Sequence, residues 1–129
     1  MLKKNNSSSK SRILIIDNDP VMRLLMSETL PNDEYIIEEV STGLDALKSI
    51  SIQSPDVVLL DVEMPEMNGF EATKLIKELR TDLKIIAQTA YTTIEDKDKA
   101  LNAGCYDFIS KPIKEETIRV VLDKSLIRK

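Results

Sequence analysis

Val57-Val58-Leu59-Leu60-Asp61-Val62-Glu63-Met64-Pro65-Glu66-Met67-Asn68-Gly69 is the stretch that decides the fold. Four apolar residues in a row, β-branched at the start, read as a short strand buried on both faces, and the proline and glycine that follow end it in a loop. Its last residue, Asp61, is a carboxylate at the tip of a buried strand. Burying an ionised group is costly unless it is paired, so Asp61 either caps the loop or is held there for chemistry.

The same rhythm extends to both sides. Short apolar runs recur at Ile13-Leu14-Ile15-Ile16, Tyr35-Ile36-Ile37-Glu38-Glu39-Val40, Lys84-Ile85-Ile86-Ala87 and Asp107-Phe108-Ile109. Amphipathic segments separate them. Asp19-Pro20 predicts a capped helix running to about Leu30. Thr42 with Asp45, and Thr92 with Glu95, read as capping boxes. Ala72, Leu75, Ile76 and Leu79 form the inward stripe of a third helix, and Ile118, Val121 and Leu122 that of the last. Gly104 stands where a helix would end in a left-handed residue. Five successive βα units predict a parallel, doubly wound α/β sheet with helices on both faces and a binding site at the carboxyl ends of its strands.

Composition narrows the function. The 129 residues make one domain, 42% apolar, with 31% charged residues and a net charge of −4. That balance argues against nucleic-acid binding, which needs a basic surface. No apolar run reaches the ~20 residues of a membrane span and the start resembles no signal peptide, so membrane insertion is not expected and a cytoplasmic location is. Residues 1–11 are polar and read as a tail or linker, with the folded domain over 12–129. The single cysteine, Cys105, reads as a small buried hydrophobe. The chain has no histidine, which removes triad hydrolases and zinc–histidine sites together. A flavin or nucleotide binder on this architecture is disfavoured, because no glycine-rich loop follows the first strand.

The predicted strand tips carry a polar set: Asp17, Asn18 and Asp19; Asp61; Thr89; and Ser110, Lys111 and Pro112. Two carboxylates at ~4 Å repel by about 4 kcal/mol at an effective dielectric near 20, so a cation must offset them. Mg²⁺, with hard oxygen ligands and retained waters, suits such a site; Lys111 adds a fixed positive charge and Thr89 a hydroxyl donor. An aspartate can attack phosphorus and form an acyl phosphate, and phosphoryl transfer needs positioning and cations more than a proton-transferring base. Asp61 then reads as a phosphoacceptor.

Four pieces, ILIIDNDP, DVVLLDVEMPEMNGFEA, IIAQTAY and AGCYDFISKPI, stand in the order and at about the spacings of response-regulator receiver domains of two-component signalling, which the chain resembles. The resemblance implies a flavodoxin-like (βα)5 fold with strand order 2-1-3-4-5. It implies a switch that takes a phosphoryl group onto Asp61 from a histidine kinase or histidine phosphotransfer domain and at most catalyses its own phosphorylation and dephosphorylation. Asp17, Asn18, Asp61 and the backbone carbonyl of Glu63 would hold Mg²⁺, and Thr89 and Lys111 would bind the phosphoryl group. Thr89 and Phe108 would be the switch pair, relaying the change to the face of the fourth helix, fifth strand and fifth helix. Pro65, Gly69 and Pro112 would be structural, the last after a cis bond, and Glu63 and Tyr91 would flank the path of attacking water. The family usually has a second acid where Asn18 stands. The alternative is therefore a phosphorylation-independent interaction module with a weakened metal site at Asn18. The chain is then either a stand-alone receiver or one cut from a larger protein, and wording that resembles receivers fused to hybrid histidine kinases favours the second.

Overall fold

The computed structural model describes residues 10–30, 33–63, 69–90, 93–111 and 113–126. Pro65, Tyr91, Thr92 and Pro112 lie outside these residues, as do Met64 and Met67. Ten elements alternate strictly: β1 (Ser11–Ile16), α1 (Pro20–Thr29), β2 (Tyr35–Val40), α2 (Gly43–Ile52), β3 (Val57–Asp61), α3 (Gly69–Leu79), β4 (Lys84–Thr89), α4 (Ile94–Ala103), β5 (Asp107–Ser110) and α5 (Glu115–Ser125). All strand pairings are parallel, and the sheet runs β2-β1-β3-β4-β5. This is the flavodoxin-like order 2-1-3-4-5. β1 begins at Ser11, one residue before the expected boundary.

Strand alternation divides the core in two, because successive side chains point to opposite faces. Leu14, Ile16, Val58, Leu60, Ile85 and Ala87 pack against Ala46 and Ile50 of α2, Ala72 and Ile76 of α3 and Ala100 of α4. Ile13, Ile15, Leu59, Ile86 and Ile109 pack against Met26 of α1 and Ile118, Val121 and Leu122 of α5. The central strand β3 is buried at every position, as its unbroken apolar run requires. β2 is an edge strand, and its Ile36 is 39% exposed.

The helix signals are confirmed with two corrections. Asp19 accepts from Val21 N–H and starts α1 with Pro20 at its first turn, and Thr42 caps α2 by accepting from Asp45 N–H, which is one half of the expected capping box. Gly104 ends α4 at φ 111°, a left-handed conformation that favours glycine. The α4 capping box, however, is Thr93 with Asp96 rather than Thr92 with Glu95. The side chain three residues after the cap must reach back to the cap's own N–H, and that register fits one residue further on. In α3 the inward face is Gly69, Ala72, Thr73 and Ile76, while Leu75 and Leu79 are 38% and 46% exposed. Small residues let α3 close on the sheet, and the two leucines turn towards Leu47 of α2. The charged run Glu95 to Lys99 is largely exposed, as a solvated helix face should be.

Gly69 is fixed by close approach. Its N–H donates to Val62 O at 3.0 Å, and a Cβ placed there would stand 2.3 Å from the Cα of Val62. Backbone cannot retreat as a side chain can, so Gly69→Ala is expected to destabilise the fold by about 3 kcal/mol, at the upper end of overpacking costs. Urea denaturation would show this as a lower midpoint at an unchanged slope.

Candidate functional site

The carboxyl ends of β1, β3 and β4 are neighbours because β3 lies between the other two. Asp17 follows β1 directly, and its N–H is tied to Val40 O at 3.1 Å. Asp61 ends β3 in register with Gln88 of β4. The topology thus brings two carboxylates to one pocket, each held by a strand rather than by a free loop.

Both are buried, Asp17 completely and Asp61 to 4% exposure. Lys111, just past β5, donates from Nζ to Asp61 Oδ1 at 3.1 Å, and the same oxygen accepts Glu63 N–H at 2.9 Å. Asp17 Oδ1 accepts Asp19 N–H at 2.9 Å, whereas its Oδ2 has no hydrogen-bond partner among the described residues. Burial pushes the Asp17 carboxyl above its ordinary value; the Asp19 N–H opposes this and the nearby charge of Asp61 adds to it. For Lys111 burial pulls downward, but the hydrogen bond to Asp61 and the charges of Asp61, Asp17 and Glu63 outweigh it and hold the ammonium above its ordinary value. Lys111 therefore stays charged throughout the physiological range.

Thr89 is buried at the tip of β4 and reaches the site through Glu63: its Oγ1 donates to Glu63 Oε2 at 3.3 Å. Ala90 N–H donates to the same oxygen at 3.3 Å, and Glu63 Oε1 lies 3.7 Å from Lys111 Nζ. Phe108 is half-buried against the Leu60 and Ala87 side of the core, with Lys97 Nζ 5.1 Å from its ring centre. A small cavity between Phe108 and Thr89 is lined by Val62, Phe70, Ala87 and Ala100. Asn18 and Ser110 are exposed at their strand ends. Asp19 spends its carboxylate on the α1 cap, receiving Val21 N–H at 2.9 Å.

Two roles were not legible in the sequence. Glu63 was expected to give its carbonyl to the metal and to flank the path of attacking water, but not to bridge Thr89, Ala90 and Lys111 with its carboxylate, as it does. Gln88, beside Asp61 in register, is buried with neither side-chain polar atom hydrogen-bonded among the described residues. A polar residue inside an apolar strand was the only available sign of it.

The donor set fits a hard divalent cation. Every available ligand is oxygen, and the unpartnered Asp17 Oδ2 is a buried acceptor of the kind that a cation or water satisfies. Among the described residues no group of three or more His, Cys, Asp or Glu side chains is placed to hold a metal, so two carboxylates and non-acidic oxygens would have to suffice.

Fold and site together define a doubly wound α/β domain with an acidic, lysine-bearing pocket at its topological switch point. The sequence pattern described as "Response regulator receiver domain" matches residues 13–123. The chain belongs to that family, and it is a receiver domain of two-component signalling. It is 32% identical over 120 residues to the sensor histidine kinase RcsC of Salmonella typhimurium, covering 93% of this chain and 13% of that protein. With the sensor protein EvgS of Escherichia coli it shares 33% identity over 115 residues, 89% of this chain and 10% of that one. The chain thus spans about an eighth or less of these relatives' length. Among solved structures, the chemotaxis protein CheY4 of Vibrio cholerae superposes with a TM-score of 0.87 at 28% identity, covering 92% of this chain and all of that one. The receiver domain of sensor histidine kinase PA1611 from Pseudomonas aeruginosa, with a magnesium ion coordinated in its active-site cleft, gives 0.81 at 28% identity, covering 90% and 97%. No helix among the described residues is long and apolar enough to cross a membrane.

Proposed function

We propose that this receiver accepts a phosphoryl group on Asp61 from a phosphohistidine of a partner kinase or phosphotransfer domain and passes the signal on by a change of packing. The observation that carries this reading is the buried Asp61 carboxylate at the tip of β3, in contact with Lys111 and beside Asp17, whose Oδ2 has no partner among the described residues. The donor histidine must come from another domain, since this sequence has none.

In the reaction an Asp61 oxygen attacks phosphorus in line. The new O–P bond forms as the N–P bond breaks, and the electron pair stays on the departing imidazole nitrogen. Lys111 holds the Asp61 carboxylate in place beforehand and supplies a permanent positive charge to the transferred group. Thr89 Oγ1 and Ala90 N–H supply donors from β4. Asp17, Asn18, Asp61 and the carbonyl of Glu63 would hold Mg²⁺, which when bound offsets the charge that gathers on carboxylates and phosphoryl oxygens. The PA1611 receiver, with a magnesium ion in its active-site cleft, supports the choice of ion. Because the donor set here lacks a second acid at Asn18, Asn18→Asp is expected to tighten Mg²⁺ binding about three- to tenfold. Calorimetric titration measures this, and an unchanged affinity removes Asn18 from the ligand set.

The output is a population shift. Thr89, drawn towards a phosphoryl group, frees room in the cavity beside Phe108, whose ring is only half-buried in the resting protein. Repacking there would reach the surface of α4, β5 and α5, where a downstream partner would read it. Incubation with acetyl phosphate or beryllofluoride and Mg²⁺ tests the reading: an adduct on Asp61 supports the switch, and none supports an interaction module that works without phosphate.

A further inference from the structure

Among the described residues Glu63 is the one carboxylate that reaches the donors on the ends of both β4 and β5. Its Oε2 takes Thr89 Oγ1 and Ala90 N–H at 3.3 Å, and its Oε1 faces Lys111 Nζ at 3.7 Å. These distances lie beyond the usual 2.7–3.2 Å range, so the carboxylate sits in its cradle loosely. Its backbone, by contrast, is pinned, with Glu63 N–H on Asp61 Oδ1 at 2.9 Å. The side chain is 28% exposed and can rotate out to solvent without any rearrangement of β3.

A hydroxyl, an amide N–H and an ammonium grouped around one negative charge make an anion site. A phosphoryl group on Asp61 seeks donors of the same kinds, and it cannot share them with a carboxylate of like charge. We infer that the Glu63 carboxylate is an internal anion that occupies the phosphoryl-oxygen site of the resting protein and must swing out before Asp61 is modified. The inference rests on Asp61 as phosphoacceptor and adds how access to it is regulated. An occupied site lowers the apparent affinity for any incoming anion in proportion to the fraction of time it is filled.

The test compares half-saturation by beryllofluoride, at fixed Mg²⁺, for the intact chain and for Glu63→Gln, Glu63→Asp and Asp45→Asn. Glu63→Gln removes the charge. Glu63→Asp keeps the charge but, one methylene shorter, cannot span from the end of β3 to Thr89. Asp45→Asn removes an exposed charge from the first turn of α2, away from the cradle. Occupancy predicts that both Glu63 variants half-saturate at about three- to tenfold lower beryllofluoride with the same end point, and that Asp45→Asn does not move. Should Glu63→Gln alone respond while Glu63→Asp tracks the intact chain, bulk charge explains the effect and the inference fails. It fails equally if neither variant responds. The ¹⁵N–¹H shift of Ala90 in metal-free protein reads the contact independently of phosphate chemistry. It should move in both Glu63 variants, and an unmoved signal overturns the contact. If beryllofluoride binds none of the four proteins, the phosphoacceptor reading falls and takes this inference with it, whatever the Ala90 signal reports.

Discussion

Asp61→Asn is expected to abolish the acid-labile adduct formed with acetyl phosphate or a phosphohistidine donor, with mass spectrometry of the intact chain finding no added phosphoryl group. An amide of nearly the same shape lacks the anionic oxygen that attacks phosphorus, so the loss is complete rather than partial. The fold should survive. Lys111 loses one of three acidic neighbours, since Asp17 is untouched and Glu63 Oε1 remains 3.7 Å away, and removing a carboxylate from beside Asp17 relieves like-charge repulsion. A thermal midpoint within a few degrees of the intact chain would establish that. Adduct appearing elsewhere in Asp61→Asn would move the phosphoacceptor to another residue. Unchanged partner binding in both phosphorylated and Asp61→Asn protein would favour the phosphate-independent module.

Asp17→Asn is expected to stabilise the metal-free protein at neutral pH. Burial raises the Asp17 carboxyl above its unfolded value of 3.8, so the native state holds this proton where the unfolded chain has released it. The stability tied to the proton is complete below the unfolded value and is lost as pH rises through the raised native one. Above that raised value the native state carries a buried carboxylate whose Oδ2 has no partner among the described residues. Replacing it with a neutral amide should recover about 1–3 kcal/mol, or roughly 4 °C per kcal/mol in thermal midpoint for a domain of this size. The gain should shrink as pH approaches the unfolded value. Mg²⁺ then separates the two proteins: at a hundredfold excess over its dissociation constant it adds about 2.7 kcal/mol to the intact chain and nearly nothing to Asp17→Asn. Equal protection of both, measured by calorimetric melts with and without the ion, removes Asp17 from the metal site. A variant less stable than the intact chain at neutral pH contradicts the charge argument itself.

Much of the site was legible in one dimension because strand tips announce themselves. An apolar run ending on Asp61, a proline–glycine loop after it, and Lys111 after the fifth run each stand at a boundary where burial stops and chemistry can begin. Helix faces were less legible. In α3 the spacing of Leu75 and Leu79 looked inward, but the buried positions are Gly69, Ala72, Thr73 and Ile76, three of them small. The α4 cap slid by one residue for a similar reason: Thr92 and Thr93 carry the same chemistry, and only the backbone's path selects between them.

The sequence by itself determined the succession of five βα units, the two buried faces of the central strand and the residue types available at the strand ends, because period and polarity are local properties. Tertiary structure decided the rest. Placing β3 between β1 and β4 makes Asp17 and Asp61 neighbours although 44 positions separate them in the chain, and that depends on how the crossover helices pack. The embrace of the Glu63 carboxylate by donors from β4 and β5 depends on side-chain reach across strands, a distance no spacing along the chain encodes.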